Sequence, residues 1–176
     1  MNSKSRGDGR TWRKLVLAFA LAATASATGP EPGISPIRFR DVAQAAGLDF
    51  VLHNCPTPNK NMIETMAGGV AVFDYDGDGR PDIFFTDGAE IPALVKSESK
   101  YWNRLYRNEG NMKFRDVSQQ AGVAGDGYSM GAAAGDYDND GHPDLFVAGV
   151  NRNILYHNLG NGKFEDVTIP AGITSG

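Results

Sequence analysis

From residue 69 onward, apolar residues along this 176-residue chain come in runs of four or five, cut by clusters of Asp, Asn and Gly. The runs read "GVAVF" (Gly69 to Phe73), "DIFFT" (Asp82 to Thr86), "RLYRN" (Arg104 to Asn108) and "KFRDV" (Lys113 to Val117). They recur in the same order as "GAAAG", "DLFVA", "ILYHN" and "KFEDV". Runs this short, bounded by turn residues, predict β-strands rather than helices. "NEGN" and "NLGN", each between a third and a fourth run, are hairpin signals. The first run of each set is rich in Gly, Ala and Val, which suits a crowded centre. The outer runs alternate more visibly, which suits a half-exposed edge.

The same order of phrases marks an internal repeat. "FRDVAQAAGL" from Phe39 returns as "FRDVSQQAGV" from Phe114 and "FEDVTIPAGI" from Phe164. "NRLYRNEGNMKF" from Asn103 returns 50 residues later as "NILYHNLGNGKF" from Asn153. Four antiparallel strands in a unit of about 50 residues describe a β-propeller blade. The sequence therefore predicts an all-β, incomplete propeller of two four-stranded blades, spanning 69–130 and 131–176. An extra outer strand at Arg38 to Val42 and a linker are expected within 28–68. "QAAG" and its copies predict a helical turn between blades. The first unit is longer, and Gly88 to Trp102 is the expected surface insertion. Two blades fall short of the roughly four that close a ring. A fragment, a truncated reading frame or a chain that assembles with further blades is therefore expected.

Residues 1–27 are a different text. Lys4, Arg6, Arg10, Arg13 and Lys14 precede the apolar run Leu15 to Ala23, and Ala25-Ser26-Ala27 offers a small-x-small cleavage signal. This reads as a secretory signal peptide, with an apolar run too short to span a bilayer. Localisation is thus expected to be secreted or extracytoplasmic, with no membrane span after cleavage. Without the leader, 12 basic residues face 20 acidic ones, a net charge of −8. There is no basic stripe for nucleic acid. Net acidity is instead what bound cations would offset.

"DYDGDGRPD" and "DYDNDGHPD" carry the candidate chemistry. Counted from Asp74, carboxylates fall at positions 1, 3, 5 and 9: Asp74, Asp76, Asp78 and Asp82. The second copy matches with Asp136, Asp138, Asp140 and Asp144. Gly79 and Gly141 stand at position 6, where the chain must turn sharply. Arg80 and His142 at position 7 offer a backbone carbonyl. Oxygen ligands at alternate positions around a glycine suit Ca²⁺, so two calcium sites are predicted. Magnesium keeps more of its water. Zinc and copper want a His or Cys set that neither loop supplies. Position 12 is Phe85 or Val147 rather than Glu, and strands flank the loop, so this is no EF-hand.

The DxDxDGxxD loops, the N-x-L-Y-x-N phrases and the F-x-D-V-x-x-x-A-G phrases occur in the order found in FG-GAP/VCBS repeats. From Ile37 to Ile173 the chain most closely resembles the N-terminal propeller of the ASPIC/UnbV and cartilage acidic protein family. That resemblance implies an exported, calcium-binding propeller that works through interaction, with a protein or glycan ligand or self-association. A non-enzymatic adhesion module is therefore expected. The alternative is part of a larger secreted propeller enzyme, a lyase or hydrolase. His53, His142 and His157 form no catalytic motif in sequence, and each reads as a surface or turn residue. A pocket placing an Asp or Glu outside the loops beside a His would favour the enzyme. Cys55 is the single cysteine, so no internal disulfide forms.

Overall fold

The computed structural model describes residues 37–173. The leader-like residues 1–27 lie outside them. Both sheets belong to one compact unit, Asp41–Gly176. The first sheet orders β1 (Val70–Phe73), β2 (Asp82–Phe85), β3 (Arg104–Gly110) and β4 (Lys113–Asp116) as neighbours. The second does the same with β5 (Tyr128–Gly135), β6 (Asp144–Val150), β7 (Ile154–Asn158) and β8 (Phe164–Asp166). Every pairing is antiparallel. These are two propeller-type blades, as the repeat predicts.

Register decides which face each residue joins. Ala71, Phe84 and Leu105 stand opposite one another, so they share one face of the first blade. Ala132, Val147 and Ile154 share a face of the second, with Ala134, Leu145 and Tyr156 two residues along. Apart from the exposed Ala134, these two faces pack together as one core, where Phe84, Leu105 and Leu145 are fully buried. Burying each such side chain is worth about 1.5–3 kcal/mol. The inner strands explain the small residues. A Cβ on Gly69 would lie 2.6 Å from the Gly131 Cα, so β1 and β5 approach backbone to backbone.

Two helical turns, α1 (Ala43–Ala46) and α2 (Ser118–Ala121), follow the first and second Phe-x-Asp-Val phrases. Each lies on the outer strand of the blade that comes next. A Cβ on Gly47, after α1, would meet the Phe114 carbonyl at 2.6 Å, and one on Gly122, after α2, the Phe164 carbonyl at 3.3 Å. The third phrase leads into a turn at Thr168 to Gly172.

The expected outer strand at Arg38 to Val42 is not formed, and Phe39 is 96% exposed. The phrase becomes a strand at β4 and β8 because β3 and β7 are there to pair with it. The first copy finds no third strand among the described residues, and an unpaired strand has no ladder to stabilise it. The insertion at Gly88 to Trp102 is tied down more firmly than a plain surface loop. Lys96 Nζ donates to the carbonyls of Asp87, Gly88 and Tyr101 at 2.6–2.7 Å. Burial pulls that ammonium down to about 8.

Candidate metal centres in the two acidic loops

Each acidic loop joins the inner strand of its blade to the second strand. Asp74 curls the first loop by accepting backbone N–H groups from Asp78 (3.1 Å) and Gly79 (2.8 Å). Asp136 repeats this with Asp140 (3.1 Å) and Gly141 (2.9 Å). The curl needs a left-handed residue at position 6, which Gly79 (φ 82°) and Gly141 (φ 90°) supply without a Cβ penalty. At position 5, Asp78 accepts from the Arg80 N–H at 2.9 Å and Asp140 from the His142 N–H at 2.8 Å.

Position 9 is the buried anchor. Asp82 accepts from the Tyr75 N–H (3.0 Å) and the Asn108 N–H (2.7 Å), and it is fully buried. Asp144 accepts from the Tyr137 and Asn158 N–H groups at the same two distances and is 1% exposed. One carboxylate thus joins the loop, the second strand and the third. Burial pushes the Asp82 carboxyl up to about 6, against the lowering effect of its two backbone donors.

The carboxylates converge. Asp74, Asp76 and Asp78 bring oxygens within 4.8 Å of one another, and so do Asp136, Asp138 and Asp144. Asp76 Oδ1 is buried with no hydrogen-bond partner. An oxygen without a donor, among carboxylates that repel one another, fits a bound cation. The arrangement can hold a metal ion through hard oxygen ligands.

The third strand adds residues that sequence reasoning missed. Arg107 on β3 reaches Asp76 (Nε to Oδ2, 2.6 Å) and Asp78 (3.3 Å). The Arg80 side chain pairs with Asp78 and donates to the Asn108 carbonyl at 2.8 Å. In the second blade the counterpart of Arg107 is His157. Its Nδ1 lies 3.2 Å from Asp144 and 3.4 Å from Asp138. Asp138, Asp140 and His157 form a further group able to hold a metal. The second centre therefore does have an imidazole, brought from β7 rather than from the loop. The signal was present: positions 107 and 157 share one slot of the repeat and pair with adjacent strands. His142, by contrast, turns toward Gly160, where an added Cβ would meet its ring at 2.4 Å.

The FG-GAP-like repeat family model matches residues 74–147 and again 136–176. The chain belongs to the FG-GAP-like repeat family. Both matches begin at position 1 of an acidic loop, so the family pattern and the carboxylate cradle coincide. No curated protein matches the chain.

His53 is not a plain surface residue. Its N–H donates to Asp87 Oδ1 (2.7 Å), and its Nδ1 lies 2.9 Å from Asp87 Oδ2. Asp87 is 1% exposed and also accepts from the Gly88 N–H. His53 lines an open cavity of about 320 Å³ together with Lys100, Arg104 and Asp116. Cys55 is a free thiol that burial pushes upward, as expected for a structural cysteine.

Proposed function

We propose that this chain is an exported, calcium-binding interaction module without catalytic activity, related to the ASPIC/UnbV group of propellers. The observation that carries the calcium reading is the convergence of carboxylate oxygens in both blades, at loop positions 1, 3 and 5 of the first and 1, 3 and 9 of the second. Ca²⁺ takes six to eight oxygens at roughly 2.3–2.6 Å and accepts irregular geometry, which an all-carboxylate curl of this kind provides. Asp74, Asp76, Asp78 and Asp82 with the Arg80 carbonyl would hold one ion. Asp136, Asp138, Asp140 and Asp144 with the His142 carbonyl would hold the other. Each ion would fasten the first strand of a blade to the second, so that binding free energy adds to folding free energy. Export is supported by the leader-like residues 1–27, and a protein or glycan is the expected ligand.

Thermal melting in EDTA and in excess Ca²⁺ tests this. Calcium at about a hundred times its dissociation constant adds about 2.7 kcal/mol per site. That is a rise of several degrees for a domain of this size. Asp140→Ala should remove part of the rise. Identical melting with and without calcium overturns the calcium reading.

One observation favours a second reading. The buried Asp87 beside His53, on the rim of a cavity, is the arrangement by which an enzyme orients an imidazole as a general base. Screening lyase and hydrolase substrates against the wild type and His53→Gln decides it. Turnover lost in the variant supports a catalytic role; no turnover in the wild type removes it.

A further inference from the structure

An open cavity of about 510 Å³ lies beside the first acidic loop, walled by both blades. Arg107 of β3 and Arg115 of β4 reach it from the first blade, and Lys163 from the turn between β7 and β8. Asp76 is the one carboxylate among its lining residues. Cations thus gather here on a chain that is acidic as a whole. Blade geometry does not demand them. Arg107 and Arg115 stand directly opposite one another in the β3–β4 register, and like charges so placed repel. The same two slots of the second blade hold His157 and Glu165, a complementary pair.

The three cations are loosely held. Lys163 is exposed and joins no ion pair among the described residues, whereas its counterpart Lys113 is spent on the Ala45 carbonyl at 2.6 Å. Arg115 pairs with Glu109 at 2.8 Å in an exposed contact, which a ligand's carboxylate can replace at little cost. Arg107 Nε lies 2.6 Å from Asp76 Oδ2, yet it makes no aligned hydrogen bond, and Asp76 Oδ1 has no donor at all. A metal ion that takes Asp76 releases this guanidinium on the cavity wall.

We propose that this cavity binds a carboxylate-bearing sugar unit, and that calcium in the first loop strengthens the binding by freeing Arg107. The coupling rests on the calcium reading of that loop; the cavity does not. Guanidinium groups take a carboxylate through two parallel hydrogen bonds, and Lys163 adds a point charge. Gln120 and Asn161, both exposed on the lining, carry amides that donate and accept, as sugar hydroxyls do. Tyr75 and Val117 also line the cavity but are 5% and 4% exposed. The lining therefore offers no open apolar pocket for the aromatic anchors on which protein partners rely. Its volume falls in the range of small-ligand sites, roughly 300–1,000 Å³. Coupling is reciprocal, so the sugar tightens calcium as calcium tightens the sugar.

Isothermal titration of the full chain with a hyaluronan tetrasaccharide, in Ca²⁺ and in EDTA, is the test. The tetrasaccharide should bind, and its carboxyl-reduced form should bind on the order of tenfold more weakly. Arg115→Gln and Lys163→Gln, both exposed sites, should each lose affinity by a similar factor while keeping the wild-type circular dichroism. Arg107→Met should weaken the sugar and tighten calcium, two opposite changes that a merely misfolded variant does not give. Free glucuronate bound as tightly as the tetrasaccharide supports the inference with the monomer as ligand. No binding, or equal binding of the carboxyl-reduced form, overturns it. So does a tetraglutamate peptide bound as tightly, which assigns the cavity to an acidic protein segment. Calcium titrated alone separates the two readings. Calcium that binds without changing the sugar's affinity overturns the coupling and leaves the calcium reading standing. Calcium that does not bind removes both, and the titration in EDTA still decides the cavity.

Discussion

The two acidic loops share one backbone and differ in what neutralises them. Both curl around a position-1 aspartate, turn at a glycine and close on a buried aspartate at position 9. In the first blade two guanidinium groups, Arg80 and Arg107, already occupy Asp76 and Asp78. In the second, the only basic side chain on the carboxylates among the described residues is the imidazole of His157, and Asp136, Asp138 and Asp140 are exposed. An arginine is a fixed cation that an incoming metal must displace or share with, whereas a neutral imidazole can itself be a ligand. The curl is therefore common to both blades, while the competition for its carboxylates is not.

The largest expected effect tests what the loops share. Asp144→Ala leaves the buried Asn158 N–H and the part-buried Tyr137 N–H without their acceptor, at up to about 1–3 kcal/mol each. Asp82→Ala does the same to Tyr75 and Asn108. Denaturant melts in EDTA should show losses of about 2–5 kcal/mol for both. A large loss in one blade and a negligible one in the other breaks the equivalence of the anchors.

The next effect tests what separates the loops. Arg107→Met frees Asp76 and leaves Asp78 paired with Arg80 alone, so calcium should bind the first loop more tightly, on the order of tenfold, or about 1.4 kcal/mol. Isothermal titration of the variant against the wild type reads this directly. Unchanged or weaker binding means that the arginine is not a competitor.

The smallest effect concerns a carboxylate outside both loops, which separates general acid sensitivity from theirs. Glu64 accepts from the Thr57 hydroxyl (2.7 Å) and N–H (2.8 Å) and from Asn61, and these bonds hold it down at about 2. Its folded value lies below its unfolded value near 4.3. Its stabilisation is thus present above about pH 4.3 and lost as pH falls toward 2. The melting difference between wild type and Glu64→Gln should shrink across that window. A difference independent of pH there removes the carboxylate as the cause.

Much of the blade architecture is legible in the residues because each strand repeats its own turn chemistry. Three of the four predicted runs of the first blade lie within one residue of the observed strands, and the Arg104 to Asn108 run extends to Gly110. The first Phe-x-Asp-Val phrase misleads because a strand is a property of a pair. Its text matches β4, but its partner strand is not among the described residues. In the sites, the loop aspartates could be numbered from spacing alone. Arg107 and His157 could not, because they sit on a strand that the β2–β3 and β6–β7 pairings carry back to the loop. His53 and Asp87 are 34 residues apart in sequence and meet only through packing.

The sequence by itself determined the repeat, the strand order within each blade and the carboxylate curl, since all three rest on local spacing and turn preference. The tertiary structure alone decided which basic group faces each curl and which faces of the two blades pack together. Both depend on what a neighbouring strand or blade brings within a few ångströms.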